Sequence, residues 1–230
     1  MNYVFAPNQA CVPIAGSQES FPVRRIYCVG RNYAEHAQEM GFDARELPFF
    51  FCKPADAVVP VLPGTLGKVA YPPKTENLHH EIELVVAIGK AGRNIAVTQA
   101  SRHIFGYAVG LDMTRRDLQF ALRDKGRPWE LGKAFDQSAP LAPIHRIDDT
   151  GVLDQGTIWL KVNGQDKQRS NLSSLIWSVA EVIANLSEYF ALVPGDLIFT
   201  GTPAGVGKVA KGDVLIGGID GLGELSIELT

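Results

Sequence analysis

The chain has 230 residues, 46% of them hydrophobic and 20% charged, with a formal net charge of -3. A chain of this length buries roughly 70 to 75% of its unfolded surface and folds without disulfides, and so small a net charge gives no electrostatic hold on nucleic acid or an anionic membrane. The cysteines, Cys11, Cys28 and Cys52, are far apart and lack the C-x-x-C spacing of a zinc or redox pair, so free thiols and a cytoplasmic location are expected.

The opening residues lack a basic start followed by an apolar stretch, and no run approaches the roughly 18 apolar residues of a membrane span. Residues 1–20 are expected to be a loop-rich lead-in, and residues 21–230 a single domain. RRIYCVG (24–30) is the first expected strand, β-branched and aromatic up to a glycine. NYAEHAQEMG (32–41) has the pattern of a short helix, with Asn32 and Glu35 as a capping box and Gly41 as its stop. PFFFCKP (48–54), EIELVVAIG (81–89) and GYAVGLD (106–112) are further strands. TRRDLQFALRDK (114–125) is a second helix, with Thr114 as its expected cap and Gly126 and Pro128 beyond its end.

TIWLKVNGQDKQ (157–168) is a hairpin, because Asn163 and Gly164 supply the positive φ angles of a tight turn. SVAEVIANLSEYF (178–190) places Val179, Ile183, Leu186 and Phe190 at helical spacing. The chain then closes with short strands, DLIFT, DVLIG and ELSIEL, between glycine-bearing turns. Strands, a few helices and strands again, without regular alternation, predict a single α+β domain rather than a doubly wound parallel sheet.

Two carboxylates, Glu81 and Glu83, stand two residues apart at the head of an almost continuous apolar run. Strand geometry projects both from one face, where like charges at a core entrance repel unless one is protonated or a cation joins them. Asp112 ends another apolar strand and would add a third oxygen donor, a set suited to Mg2+ or Mn2+ rather than zinc or copper. The same spacing equally fits the solvated face of an edge strand, with Asp112 merely beginning a helix.

His36 and Glu39 are helical neighbours, and a carboxylate beside an imidazole suits it to activate water; the pair fits a surface contact as well. Lys53 follows three phenylalanines and Lys133 follows Trp129 and Leu131, which leaves open a buried cation or snorkelling at the core rim. Arg116 and Gln119 share a helix face just past Asp112, as substrate-carboxylate ligands or as solvated residues. The glycine-bearing run 200–209 is not a phosphate loop: one residue too many separates Gly201 from Gly207, and Val209 stands where Ser or Thr is required.

In this order YCVGRNYAEHAQEM, FFFCKP, NLHHEIELVVAIGK, GYAVGLDMTRRDLQ, LGKAFD, WLKVNG and PGDLIFTGTPAGVG resemble the fumarylacetoacetate hydrolase family, in its small acylpyruvate hydrolase branch. The resemblance runs from about Phe21 to the C-terminus. It implies a mixed β-roll with a few short helices, usually a homodimer, holding Mg2+ or Mn2+ on Glu81, Glu83 and Asp112. It further implies that His36 and Glu39 activate water, that Lys133 is the active-site lysine, and that Arg31, Lys53, Arg116, Gln119 and Thr202 line the substrate pocket.

The segment from Phe21 is most similar to the branch of bacterial gentisate degradation, which implies fumarylpyruvate as the keto acid and cleavage of its C3–C4 bond. Decarboxylation of oxaloacetate is the alternative chemistry on the same residues. A non-catalytic metal-binding module is the alternative of another class.

Overall fold

The computed structural model describes residues 2–34 and 46–230. Its main sheet runs, in spatial order, Phe50–Lys53, Arg25–Val29, Asp196–Phe199, Ile82–Ile88, Ile104–Leu111, Ala139–Leu141 and Val58–Pro60. Asp196–Phe199 lies parallel to Arg25–Val29, and Ala139–Leu141 parallel to Val58–Pro60; the other neighbours are antiparallel. A second sheet runs Gln165–Asn171, Thr157–Val162, Val214–Ile219, Gly223–Leu229 and Gly67–Val69. A short third sheet, Thr114–Arg115, Leu78–His80 and Gly207–Val209, adjoins the functional end. The architecture is the mixed β-roll with few helices that the resemblance implies, and it fits the α+β class expected from the order of elements.

Alternation along the central strands divides the core in two. Ile82, Leu84, Val86, Tyr107, Val109 and Leu111 join the inward residues of the second sheet and the helix Val179–Tyr189 in one apolar cluster. Val85, Ala87 and Ala108, on the opposite face, pack with Cys28, Leu141, Leu197 and Phe199 in another. Gly110 permits the tight approach on this second face, since a Cβ there would stand 2.6 Å from Val85 and 2.9 Å from Phe199. Within the N-terminal lead-in, Cys11–Pro13 pairs with Ser20–Pro22, and Val12 and Ile14 complete this cluster from below.

Local expectations hold where the signal was local. Asn163 and Gly164 have φ of 51° and 78° at the tip of the Thr157–Val162 hairpin. Ser178 caps Val179–Tyr189 in a full capping box with Glu181. Thr114 departs from its expected role as a cap. The helix there is Arg116–Arg123, without a side-chain cap, and Thr114 is buried in a strand register with His79. Backbone pairing to Leu78–His80 took precedence over the helix start, and the Thr114 hydroxyl turns inward. The expected cap at Asn32 involves Glu35, which lies outside the described residues. Asn32 itself ties two segments together, accepting from Trp177 N–H and donating to the Trp177 and Thr200 carbonyls.

Candidate active site

Glu81 occupies the break between Leu78–His80 and Ile82–Ile88, and Glu83 follows on the same face. Glu83 registers with Gly110 on the adjacent strand, and Asp112 comes two residues later, its N–H donating to the Glu81 carbonyl at 2.9 Å. This is the middle of the main sheet, so neither glutamate lies on a solvated edge. All three carboxylates are buried, and they offer ligand oxygens within 4.8 Å of one another.

Three cations answer these charges. Lys133, at the end of the one-turn helix Glu130–Lys133, places Nζ 2.8 Å from Glu81, 2.6 Å from Asp112 and 2.7 Å from the Thr114 hydroxyl. Burial alone would lower its pKa, but Asp112 and Glu81 outweigh that and the pKa ends raised. Lys53 lies wholly buried beneath the site, 2.8 Å from Asp112 Oδ1 and donating to the carbonyls of Met113 and Lys133. Arg116 donates to Glu81, to Gln119 Oε1 at 2.6 Å and to His79 Nδ1 at 3.4 Å.

Glu83 has a different environment. Its Oε2 accepts from Gly201 N–H at 2.7 Å, but among the described residues no cation forms an ion pair with it. Burial first, then the charges of Asp112 and Glu81, push its pKa well above the ordinary carboxylate value. Asp112 Oδ1 likewise meets Lys53 without a well-directed hydrogen bond. A buried all-oxygen donor set in which Glu83 has no ion-pair partner among the described residues fits a hard divalent cation.

Sequence reasoning missed the support beneath these ligands. Gln168 Oε1 accepts from Ile82 N–H at 3.2 Å and pairs with His80 Nδ1 at 2.9 Å. Its Nε2 donates to Thr202 Oγ1 and to the Pro203 carbonyl, both at 2.8 Å. Because Ile82 fixes which amide atom is oxygen, His80 carries its proton on Nδ1. The Thr202 hydroxyl in turn donates to the Ile82 carbonyl at 2.8 Å, so it braces the ligand strand. The available signal was register: Gln168 stands opposite Leu160, an inward position of the hairpin, where a polar side chain needs a buried partner.

A small cavity of about 20 Å³ is lined by Glu81 and Lys133 together with Arg31, Arg116, Gln119, Arg123 and Trp129. Trp129 meets Phe49 edge-on, with 5.5 Å between ring centroids, and leans on Phe51. Arg31, Arg116, Gln119 and Lys133 thus line one cavity, whereas Lys53 and Thr202 stand outside its lining. His36 and Glu39 lie outside the described residues. Cys28 is fully buried, and burial and then the Asp112 charge push its thiol pKa well up, which disfavours the thiolate that a nucleophile needs.

The family model described as fumarylacetoacetate hydrolase, C-terminal, matches residues 25–230. A fumarylpyruvate hydrolase from a Ralstonia species is 50% identical over 182 residues, covering 79% of this chain and 92% of that protein. The crystal structure of fumarylpyruvate hydrolase from Pseudomonas aeruginosa in complex with Mn2+ and pyruvate superposes with a TM-score of 0.98 at 59% identity, covering 100% of this chain and 99% of that one. A mitochondrial oxaloacetate decarboxylase from Dictyostelium discoideum is 41% identical over 199 residues, covering 86% of this chain and 90% of that protein.

Proposed function

The chain belongs to the fumarylacetoacetate hydrolase family, and from that premise we propose that it hydrolyses the C3–C4 bond of an acylpyruvate, fumarylpyruvate to fumarate and pyruvate, in aromatic catabolism. The observation that carries the reading is the buried trio of Glu81, Glu83 and Asp112 with Lys133 bridging Glu81 and Asp112, Glu81 and Lys133 also lining a small cavity that bears Arg31, Arg116 and Arg123. Mg2+ or Mn2+ would be held by those three carboxylates. Once bound, it supplies Lewis acidity toward the oxygens of the keto acid.

The remaining steps belong to side chains. Glu39 orients His36, and His36 takes a proton from a water whose oxygen adds to the C4 carbonyl. Lys133 exchanges its bond to Asp112 or Glu81 for the developing C4 oxyanion, a contact worth about 3 kcal/mol in the barrier. As the C4–O double bond re-forms, the C3–C4 bond breaks and its electron pair remains on C3, which takes up the proton His36 removed from the water, and pyruvate leaves with the new carboxylic acid. Arg116 and Gln119 sit where the substrate's 1-carboxylate would be steered. Lys53 serves by fixing Asp112 and the Lys133 backbone.

Charge supports a dianionic substrate. Glu81, Glu83 and Asp112 balance Lys53, Lys133 and Arg116, so a divalent cation would leave the centre with two positive charges to neutralise. The 41% identity to an oxaloacetate decarboxylase favours a second reading, decarboxylation of another dianion at the same centre. In a hydrolase, His36→Ala loses fumarylpyruvate turnover by at least about a hundredfold while any oxaloacetate decarboxylation persists. Wild-type hydrolysis by that variant refutes the His36 assignment.

We further place the protein in the cytoplasm as a homodimer acting on small molecules. No described helix is long and apolar enough to cross a membrane, and the three cysteines are free. Tyr3, Val4 and Phe5 present exposed apolar surface suited to a second copy.

A further inference from the structure

We infer that Asn77 and His79 are positioning residues for Arg116: together with Glu81 they hold one edge of its guanidinium, so that the donors left over meet the carboxylate of the keto acid in a fixed orientation. The inference rests on the acylpyruvate reading above and names what aims the arginine of that site.

The bonds of Arg116 account for each of its nitrogens. Nε donates to His79 Nδ1 at 3.4 Å, Nη1 to Gln119 Oε1 at 2.6 Å, and Nη2 to Glu81. Nε and Nη2 form one edge of the planar group, and residues two apart in the chain, 79 and 81, meet that edge together. A guanidinium has five N–H donors, so one on Nη1 and one on Nη2 remain for a carboxylate.

The partners of His79 fix its tautomer. A guanidinium only donates, so Nδ1 accepts and the single ring proton sits on Nε2. Nε2 lies 3.0 Å from Asn77 Oδ1, which accepts that N–H. Asn77 also reaches the backbone end of Arg116, its carbonyl accepting from the Arg116 N–H at 2.9 Å. It therefore grips the arginine twice, directly at the main chain and through the imidazole at the guanidinium.

Asn77 is itself anchored to the same helix. Its N–H donates to Thr75 Oγ1 at 3.1 Å, and that hydroxyl donates at 2.6 Å to Asp117, the residue after Arg116 in Arg116–Arg123. His79 registers with Thr114, whose hydroxyl accepts from Lys133 Nζ. Asn77 and His79 are only half-buried, so filling the core does not account for them, whereas Arg116 is buried. Without the imidazole its Nε–H loses a partner and the guanidinium is free to pivot on Glu81.

The test measures kcat and KM for fumarylpyruvate with Mn2+ in wild-type protein, His79→Leu, His79→Gln and Asn77→Ala, each also combined with Arg116→Lys, whose single nitrogen cannot serve both partners. The inference predicts that His79→Leu raises KM on the order of tenfold while kcat changes by less than about threefold. His79→Gln, whose Oε1 can accept from Nε, recovers most of that loss, and Asn77→Ala moves KM the same way by less. In the Arg116→Lys background none of them shifts KM further. An unchanged KM in His79→Leu, no recovery in His79→Gln, or effects that add to that of Arg116→Lys overturn it. If His79→Leu does not fold, Asn77→Ala alone and with Arg116→Lys decides by the same criteria. Wild-type protein that hydrolyses no acylpyruvate fails the parent reading. There, and wherever a variant has no turnover, the Kd of pyruvate with Mn2+ by calorimetry replaces KM in the same comparison, and pyruvate that does not bind the wild type overturns the inference too.

Discussion

Glu83 is the side chain on which the need for a cation falls most heavily. A carboxyl with a raised folded pKa contributes stability that is fully present below the unfolded value, 4.5, and lost as the pH rises from there through the folded value. In EDTA at neutral pH the wild-type protein therefore carries an unfavourable proton or an uncompensated charge, and Glu83→Gln does not. We expect Glu83→Gln to melt higher than wild type in EDTA above about pH 5, to lose that advantage at pH 4, and to show no rise in Tm on adding Mn2+. A Glu83→Gln protein that melts lower in EDTA and still gains from Mn2+ contradicts the assignment of Glu83 as ligand. The three acidic residues were legible because two obey a local strand period and the third ends an apolar strand. Lys133 was left open by its apolar neighbours and given a role only through resemblance, since its partners Glu81 and Asp112 lie 52 and 21 residues away. Gln168 and the inward turn of Thr114 were not legible, because nothing near them in the chain records what they meet.

At the scale of elements, the ligand strand is held from outside by the hairpin. Gln168 reaches 86 to 88 residues back along the chain to Ile82 and His80, and also binds the segment that carries Gly201, whose N–H meets Glu83. Removing the amide strands several buried partners, each at a cost of about 1 to 3 kcal/mol. Gln168→Leu should therefore lower Tm and weaken Mn2+ affinity about 10- to 100-fold, as loss of support behind metal ligands does. Mn2+ affinity is read by electron paramagnetic resonance of the free ion. Unchanged affinity in a folded Gln168→Leu protein removes the hairpin from the site. The hairpin turn and the capped helix Val179–Tyr189 were readable because each is specified within a few residues. Sheet order was not: Asp196–Phe199 inserts between Arg25–Val29 and Ile82–Ile88, and such pairing has no local signature.

Over the whole molecule, the roll brings carboxylates from two adjacent central strands to one end, backs them with Lys53 from an edge strand and Lys133 from a one-turn helix, and sets Glu81 and Lys133 on a small cavity that bears three arginines. The core excludes water from the charges, the charges call for a divalent cation, and the surplus positive charge suits a dicarboxylic keto acid. The fold class and family were readable across most of the chain because ordered segments, not single motifs, carried the likeness. The most direct measurement follows fumarylpyruvate by loss of its diketo-enol absorbance while pyruvate is counted enzymatically, in Mn2+ and in EDTA. The account predicts one pyruvate per substrate consumed, turnover in Mn2+, and its abolition by EDTA and by Glu83→Gln. Absent turnover in Mn2+, or turnover indifferent to EDTA, would contradict it.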